Sequence, residues 1–177
     1  TDRETTGMDD ATGKMAEGLK LAIDAEVDGY HFYMMAANST SDEKGKEIFK
    51  KLAHDEVEHA NFLRAQYDSV MKTGKGDASV KLNDATRYDD DHPIFSEDLK
   101  ARTHAPNYEM SAVSIGAQLE LQAIQFYQEQ ADAATDDTVR SFYLELATWE
   151  KGHYDALTKQ LDMLRGETWE KDRFSPF

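Results

Sequence analysis

The sequence predicts an all-α protein, a four-helix bundle made of two helical hairpins joined by a long crossover. Four long stretches have apolar residues at helical spacing, and only a few residues join the first to the second and the third to the fourth. The polar segment 75–106 separates the two pairs. None of the four stretches has the alternating pattern or the β-branched density of a strand.

The first hairpin has recognisable helix ends. Its first helix is predicted from about Asp10 to Ala37, before the polar segment NSTSD. Its second helix is predicted to begin near Ser41, a good N-cap residue that acidic residues follow. That helix is predicted to end in the segment TGKG, near Thr73 and Gly74.

The second hairpin has similar signals. Its first helix is predicted to start after HAPN, with Asn107 as the cap, and to fade near Ala134. Its second helix is predicted to start at Thr135, with aspartates in the first turn, and to end at Arg165 and Gly166.

We expect the two hairpins to form a single domain over residues 1–177, because a lone helical hairpin buries too little surface. The crossover, about 75–106, is long enough to return the chain to the other end of the bundle. The tail 166–177 has aromatic residues that we expect to pack on the bundle or on a second subunit. The alternative, two independent hairpins on a disordered linker, is less favoured.

The hairpins repeat each other over about 15–70 and 109–165. LAHDEVEHANFL, which starts at Leu52, is matched by LATWEKGHYDAL, which starts at Leu146, 94 residues later (146 − 52). A lone glutamate followed by Phe-Tyr precedes each Glu-x-x-His pair, at the same interval of 30 residues (56 − 26 and 150 − 120). This pattern indicates a duplicated helical hairpin.

The polar members of the repeat fall on the helix faces that should form the core. They are Glu26, Glu56, His59, Glu120, Glu150 and His153. Four carboxylates cannot stay unpaired in one core, since desolvation costs each of them several kcal/mol. No lysine or arginine lies on these faces at the same level, whereas two divalent cations would balance the four charges.

We therefore predict a dinuclear metal site. The two lone glutamates would each cap one metal, the glutamates of the Glu-x-x-His pairs would bridge, and the histidines would complete the two shells. The alternatives are a buried hydrogen-bond network without metal, or a helix register that leaves the six residues on the surface. Mixed carboxylate and imidazole ligands suit iron or manganese better than a structural zinc.

Other polar residues of the helices are assigned less directly. Tyr33 and Tyr127 lie two turns beyond the lone glutamates. They are either hydrogen-bond donors to the glutamates of the opposite hairpin, where they would support catalysis, or ordinary core aromatics. The remaining histidines have no counterpart in the other half and are expected on the surface: His31, His54, His92 and His104.

Composition excludes several classes of function. The formal net charge of −15 argues against nucleic acid or an anionic membrane surface as a partner. With no cysteine, the sequence has no disulfide, thiol nucleophile or iron–sulfur cluster. No segment approaches the roughly 18 apolar residues that span a bilayer. We expect a cytoplasmic protein.

The paired motifs resemble the di-iron carboxylate pattern of the ferritin-like superfamily. The symmetric halves, with Phe-Tyr after each lone glutamate, are most similar to its rubrerythrin branch, over about 15–165. The resemblance implies a ferritin-like bundle with two iron ions, and redox chemistry on hydrogen peroxide, dioxygen or Fe(II) under oxidative stress. Manganese or zinc could bind the same residues. A homodimer is expected.

The sequence departs from the rubrerythrin pattern at two points. A rubredoxin-like domain holds iron through four cysteines and is missing here, so an external electron donor is expected. Rubrerythrins also have a further glutamate where this chain has Ala123. We expect an oxidoreductase that reduces peroxide or dioxygen. The alternatives are a ferroxidase that handles iron, a non-catalytic bundle that metals stabilise, and an oxygenase that acts on an organic substrate.

Overall fold

The computed structural model describes the backbone of residues 10–82 and 106–171, and the side chains of 10–82 and 108–164. It contains the helices α1 (Asp10–Ser39), α2 (Glu43–Thr73), α3 (Pro106–Ala133) and α4 (Asp137–Lys171). The described residues contain no strand, and the predicted all-α bundle is confirmed. Most of the predicted crossover, with His92 and His104, and the end of the tail lie outside the described residues.

Helices α1 and α2 pack as one hairpin, α3 and α4 pack as the other, and α1 also contacts α3. The core consists of two apolar clusters. The first contains Ala37, Phe49, Val113 and Leu157, and the second contains Leu19, Leu63, Tyr127 and Leu146. Because the end of α2 lies by the second cluster and the start of α3 by the first, these helix ends lie at opposite ends of the bundle. A crossover between the hairpins requires that arrangement.

The ends of α2 show how local hydrogen bonds set helix boundaries. Its N-cap is Asp42, not the predicted Ser41, and the Asp42 carboxylate accepts a hydrogen bond from the Gly45 amide at 2.8 Å. Its C-cap is Gly74, with a φ of 72°, whose N–H donates to the Val70 carbonyl at 2.8 Å. Glycine adopts this left-handed conformation without the strain that a Cβ would add.

The second hairpin differs from the prediction at three helix ends. Helix α3 begins at Pro106 rather than after an Asn107 cap, since proline's fixed φ suits the first helical position. Asp136 caps α4, because its carboxylate accepts from the Val139 amide at 2.9 Å. Helix α4 continues to Lys171 instead of ending at Gly166. Glycine inside a helix costs only about 1 kcal/mol relative to alanine, so it need not end one.

Two of the histidines expected on the surface lie among the described side chains. His31 and His54 are exposed, as predicted. No helix among residues 10–82 and 106–171 combines the length and the apolar character needed to cross a membrane.

Candidate dinuclear metal centre

A layer of buried polar side chains separates the two apolar clusters. Helices α1 and α3 each contribute one glutamate, and α2 and α4 each contribute a glutamate and a histidine three residues apart. The layer consists of Glu26, Glu56, His59, Glu120, Glu150 and His153, each at most 4% exposed. The structure thus brings together all six residues that the sequence singled out, and it excludes the alternative that they lie on the surface.

The six residues form two interlocking groups. In each group, four side chains place one potential ligand atom within 4.8 Å of the others. Glu26 and His59 belong to one group, and Glu120 and His153 belong to the other. Both groups include Glu56 and Glu150. Two shared carboxylates between two histidines are the arrangement that a pair of adjacent cations needs.

The shared glutamates offer one oxygen to each side. Glu150 Oε1 lies 2.9 Å from His59 Nδ1, and Glu150 Oε2 lies 3.0 Å from His153 Nδ1. Glu56 approaches the same two nitrogens: its Oε2 lies 3.8 Å from His59 Nδ1, and its Oε1 lies 3.8 Å from His153 Nδ1. The imidazole rings are nearly parallel, with centroids 5.7 Å apart and planes at 22°. The centre therefore has approximate two-fold symmetry, as the repeat requires.

Several buried atoms of the layer fit a metal better than a hydrogen-bond network. His59 Nδ1 and both carboxylate oxygens of Glu150 make no aligned hydrogen bond within the described part of the chain, although Glu150 Oε1 lies only 2.9 Å from His59 Nδ1. An unsatisfied buried polar group costs about 1–3 kcal/mol, so folded proteins rarely keep three of them together. Imidazole nitrogen and carboxylate oxygen are ligands for iron, manganese and zinc. The donors present thus fit a di-metal site.

The carboxylates of the layer have strongly shifted pKa values. Burial raises the pKa of Glu26 and Glu56, and the charge of Glu150 raises both further. The same two effects raise the pKa of Glu120 to about 7. Burial acts on Glu150 too, but the two histidines outweigh it and lower its pKa. Without metal, the layer holds protons where cations would bind, so metal binding releases protons.

The pKa values of the two histidines, His59 and His153, are raised, whereas burial alone lowers the pKa of an imidazole. The surrounding carboxylates more than offset burial, and both pKa values lie well above the ordinary range. Competition between protons and metal at these imidazoles therefore adds to the pH dependence of metal binding.

Two tyrosines link the hairpins across the layer. The Tyr33 hydroxyl donates a hydrogen bond to Glu120, and the Tyr127 hydroxyl donates to Glu26. Each tyrosine is 1% exposed, and burial followed by the Glu120 charge raises the pKa of Tyr33 well above its usual value. The Tyr33 hydroxyl therefore stays protonated, and the two hydroxyls orient the outer glutamates. The hydrogen bonds to the opposite hairpin are present, and a catalytic role for the tyrosines stays a prediction.

One further residue of the layer was not predicted from the sequence. Asp55 is 3% exposed, and its Oδ2 lies 3.2 Å from His153 Nε2. The repeat gave no signal for it, since its counterpart is Trp149 (149 − 55 = 94). An aspartate on the buried face of α2, next to Glu56, is the signal that could have found it.

A cavity of about 230 Å³ lies between α1 and α3 and reaches the glutamates of the layer. Its wall includes Gly29 and Ala123, which correspond in the repeat (123 − 29 = 94). A Cβ at Gly29 would lie 3.3 Å from the Glu56 carboxyl carbon. The wall also includes Leu119, which is 36% exposed, so the cavity extends to the surface. Small residues thus leave space for a small molecule beside the shared carboxylates.

Comparison with known families agrees with this geometry. The family model described as Rubrerythrin matches residues 17–161, which is more than half of the chain. The chain belongs to the rubrerythrin family. The matched range includes all six residues of the layer and both tyrosines, and the resemblance inferred from the motifs is confirmed. Comparisons with curated proteins and with solved structures give no match.

Ala123 is the position at which the sequence departs from the rubrerythrin pattern within the helices. The glutamate expected at that position from the rubrerythrin pattern would project from α3 near the layer. Ala123 instead forms part of the cavity wall. The cavity wall on α3 therefore has an alanine where the rubrerythrin pattern has that carboxylate.

The shifted pKa of Glu120 predicts how the metal-free protein responds to pH. Its folded-state pKa of about 7 is raised from an ordinary 4.5, so the folded state binds this proton more tightly than the unfolded state. The contribution of this proton to the free energy of unfolding is fully present below pH ~4.5 and is lost as pH rises through about 7. It amounts to at most on the order of 3 kcal/mol.

Urea denaturation of chelator-treated protein at pH 5 and pH 8 measures this loss. The Glu120→Gln variant cannot ionise at this position, so its stability should fall less over the same range. The approximate two-fold symmetry makes Glu26→Gln a second test with the same expected direction. Equal pH dependence in Glu120→Gln and wild type would contradict the assignment.

Proposed function

We propose that this protein is a non-haem di-iron oxidoreductase that reduces hydrogen peroxide or dioxygen, in the manner of a rubrerythrin-like peroxidase. The observation that carries the proposal is the pair of interlocking four-residue groups that share Glu56 and Glu150. Such sharing brings two cations close enough to act on one small molecule. Glu26 and His59 would hold one iron, and Glu120 and His153 would hold the other.

Two irons in this centre would each supply one electron, which together reduce one peroxide: H2O2, two electrons and two protons give two waters. The protein's own groups handle access and protons. The cavity between α1 and α3 admits a molecule of this size, and the apolar clusters above and below exclude bulk water. Glu120 has a pKa of about 7 in the metal-free centre, so it releases its proton near neutral pH when iron binds.

A ferroxidase that oxidises Fe(II) with dioxygen is the second candidate. The observation in its favour is Ala123, which leaves the centre with six ligand residues and without the additional glutamate of the rubrerythrin pattern. The open cavity beside Ala123 is equally suited to entry of Fe(II). A metal-stabilised bundle without activity is the third candidate, and it predicts native zinc.

Stopped-flow mixing separates these functions. Protein loaded anaerobically with two Fe(II) per chain should be oxidised by hydrogen peroxide much faster than by dioxygen, as followed by the visible absorption of oxidised iron. Glu145→Gln, an exposed position on α4, is the matched control and should react like wild type. Faster reaction with dioxygen, followed by repeated Fe(II) turnover, would establish the ferroxidase instead. No reaction with either oxidant would overturn both.

The proposal includes two partners. An external protein or small reductant would return electrons to the oxidised centre. A homodimer is the proposed assembly, and light scattering would measure it. A dimer agrees with a peroxidase, whereas a cage of many subunits would favour iron storage.

A further inference from the structure

The two histidines of the layer are equivalent toward the glutamates but differ on their outer side. The repeat pairs His59 with His153, and it pairs position 55 with position 149. At these last two positions the chain has Asp55 on α2 and Trp149 on α4. Each of these residues contacts the histidine of the other hairpin, so the approximate symmetry breaks at this point.

On one side, the His153 imidazole is held by a carboxylate. Its Nε2 lies 3.2 Å from Asp55 Oδ2, and both residues are at most 3% exposed. An ionised carboxylate accepts hydrogen bonds and donates none, so the Nε2–H must be the donor. The proton on Nε2 leaves Nδ1, which faces Glu120 and Glu150, as the nitrogen that can bind a metal. Asp55 thus fixes both the tautomer and the ring orientation.

On its outer side, away from the glutamates, the His59 imidazole is held only by packing against Trp149. The Trp149 ring meets it edge to face, with centroids 5.1 Å apart and planes at 81°. His59 Nε2 has no hydrogen-bond partner among the residues that the structure describes. An aromatic edge restrains the plane of the imidazole, but it offers no lone pair to select the Nε2–H tautomer. A metal bound there would meet a histidine that is less preorganised.

We propose that Asp55 is a positioning residue that makes the two metal positions unequal, so that the position at His153 binds its metal more tightly than the position at His59. The inference rests on the proposed dinuclear centre. A carboxylate behind a metal-binding histidine typically accounts for about 10–100-fold in metal affinity. The wild-type protein should therefore bind Fe(II) in two steps that differ by roughly this factor.

Anaerobic calorimetric titration with Fe(II) tests the inference, with each position isolated in turn. The Glu26→Gln variant weakens the position at His59 and leaves the position at His153 to be measured, and Glu120→Gln does the reverse. Adding Asp55→Asn, which nearly preserves shape, should weaken binding about 10–100-fold in the Glu26→Gln protein. The same substitution should leave binding in the Glu120→Gln protein unchanged. A general structural loss would weaken both.

The reciprocal change provides a second readout. Trp149→Asp gives His59 a carboxylate at the position that repeats Asp55, and it should tighten Fe(II) binding in the Glu120→Gln protein. Two equal steps in wild type, or equal losses at both positions from Asp55→Asn, would overturn the inference and leave the dinuclear centre standing. Fewer than two Fe(II) per wild-type chain would instead overturn the proposed centre itself.

Discussion

Replacing Glu150 by glutamine is expected to remove both metal ions, whereas replacing Glu26 is expected to remove one. The two Glu150 oxygens lie 2.9 and 3.0 Å from the Nδ1 atoms of His59 and His153, so each half of the centre depends on this carboxylate. Glu26 belongs to one group only. Glutamine keeps the shape but removes the negative charge that each cation needs.

Anaerobic equilibrium dialysis against Fe(II) gives the stoichiometry. We expect two irons per wild-type chain, one for Glu26→Gln and none for Glu150→Gln. The expected loss of affinity at each affected position exceeds about 100-fold, since even the partners behind metal ligands account for 10–100-fold. Glu145→Gln is exposed on the same helix as Glu150 and should bind two. Two tightly bound irons in Glu150→Gln would contradict the sharing of this carboxylate.

Truncating the side chain of Leu63 should lower the stability of the metal-free protein strongly. This side chain of α2 is 0% exposed and belongs to the second apolar cluster. Leu63→Ala removes buried apolar surface and leaves a cavity, at an expected cost of about 2–5 kcal/mol. The melting temperature of the metal-free protein, measured by circular dichroism, should fall by roughly 5–15 °C.

Leu144→Ala is the matched control for this packing argument. Leu144 is 48% exposed on α4, so the same truncation there should change stability by no more than about 0.5 kcal/mol. Similar melting temperatures for the Leu63→Ala and Leu144→Ala variants would show that the helices do not pack as described.

The sequence predicted the helices and the layer of buried polar side chains because the pattern for each occurs more than once along the chain. Apolar spacing in each helix indicates the same bundle, and the Glu-x-x-His pair with its preceding glutamate occurs twice at one interval. The helix ends were less predictable. Ser41 and Asp42 are both good caps, and only the geometry of the turn decides that Asp42 accepts the bond from Gly45.

Features that depend on contacts between helices could not be predicted from spacing. Asp55 reaches His153 because side chains of α2 and α4 meet in the layer. A comparison of the two halves hides this contact, since it pairs Asp55 with Trp149 rather than with a second aspartate. Similarly, Gly29 and Ala123 are only two small residues in the sequence. The structure shows that they line one cavity between α1 and α3.

The central claim is that two metal ions lie between the hairpins, and anomalous X-ray scattering at the iron edge measures this most directly. In crystals of the protein loaded with Fe(II), we expect two separate peaks within the layer. One should lie beside His59 and the other beside His153, with the carboxylates of Glu56 and Glu150 between them. A single peak, or peaks bound by residues outside the layer, would contradict the account.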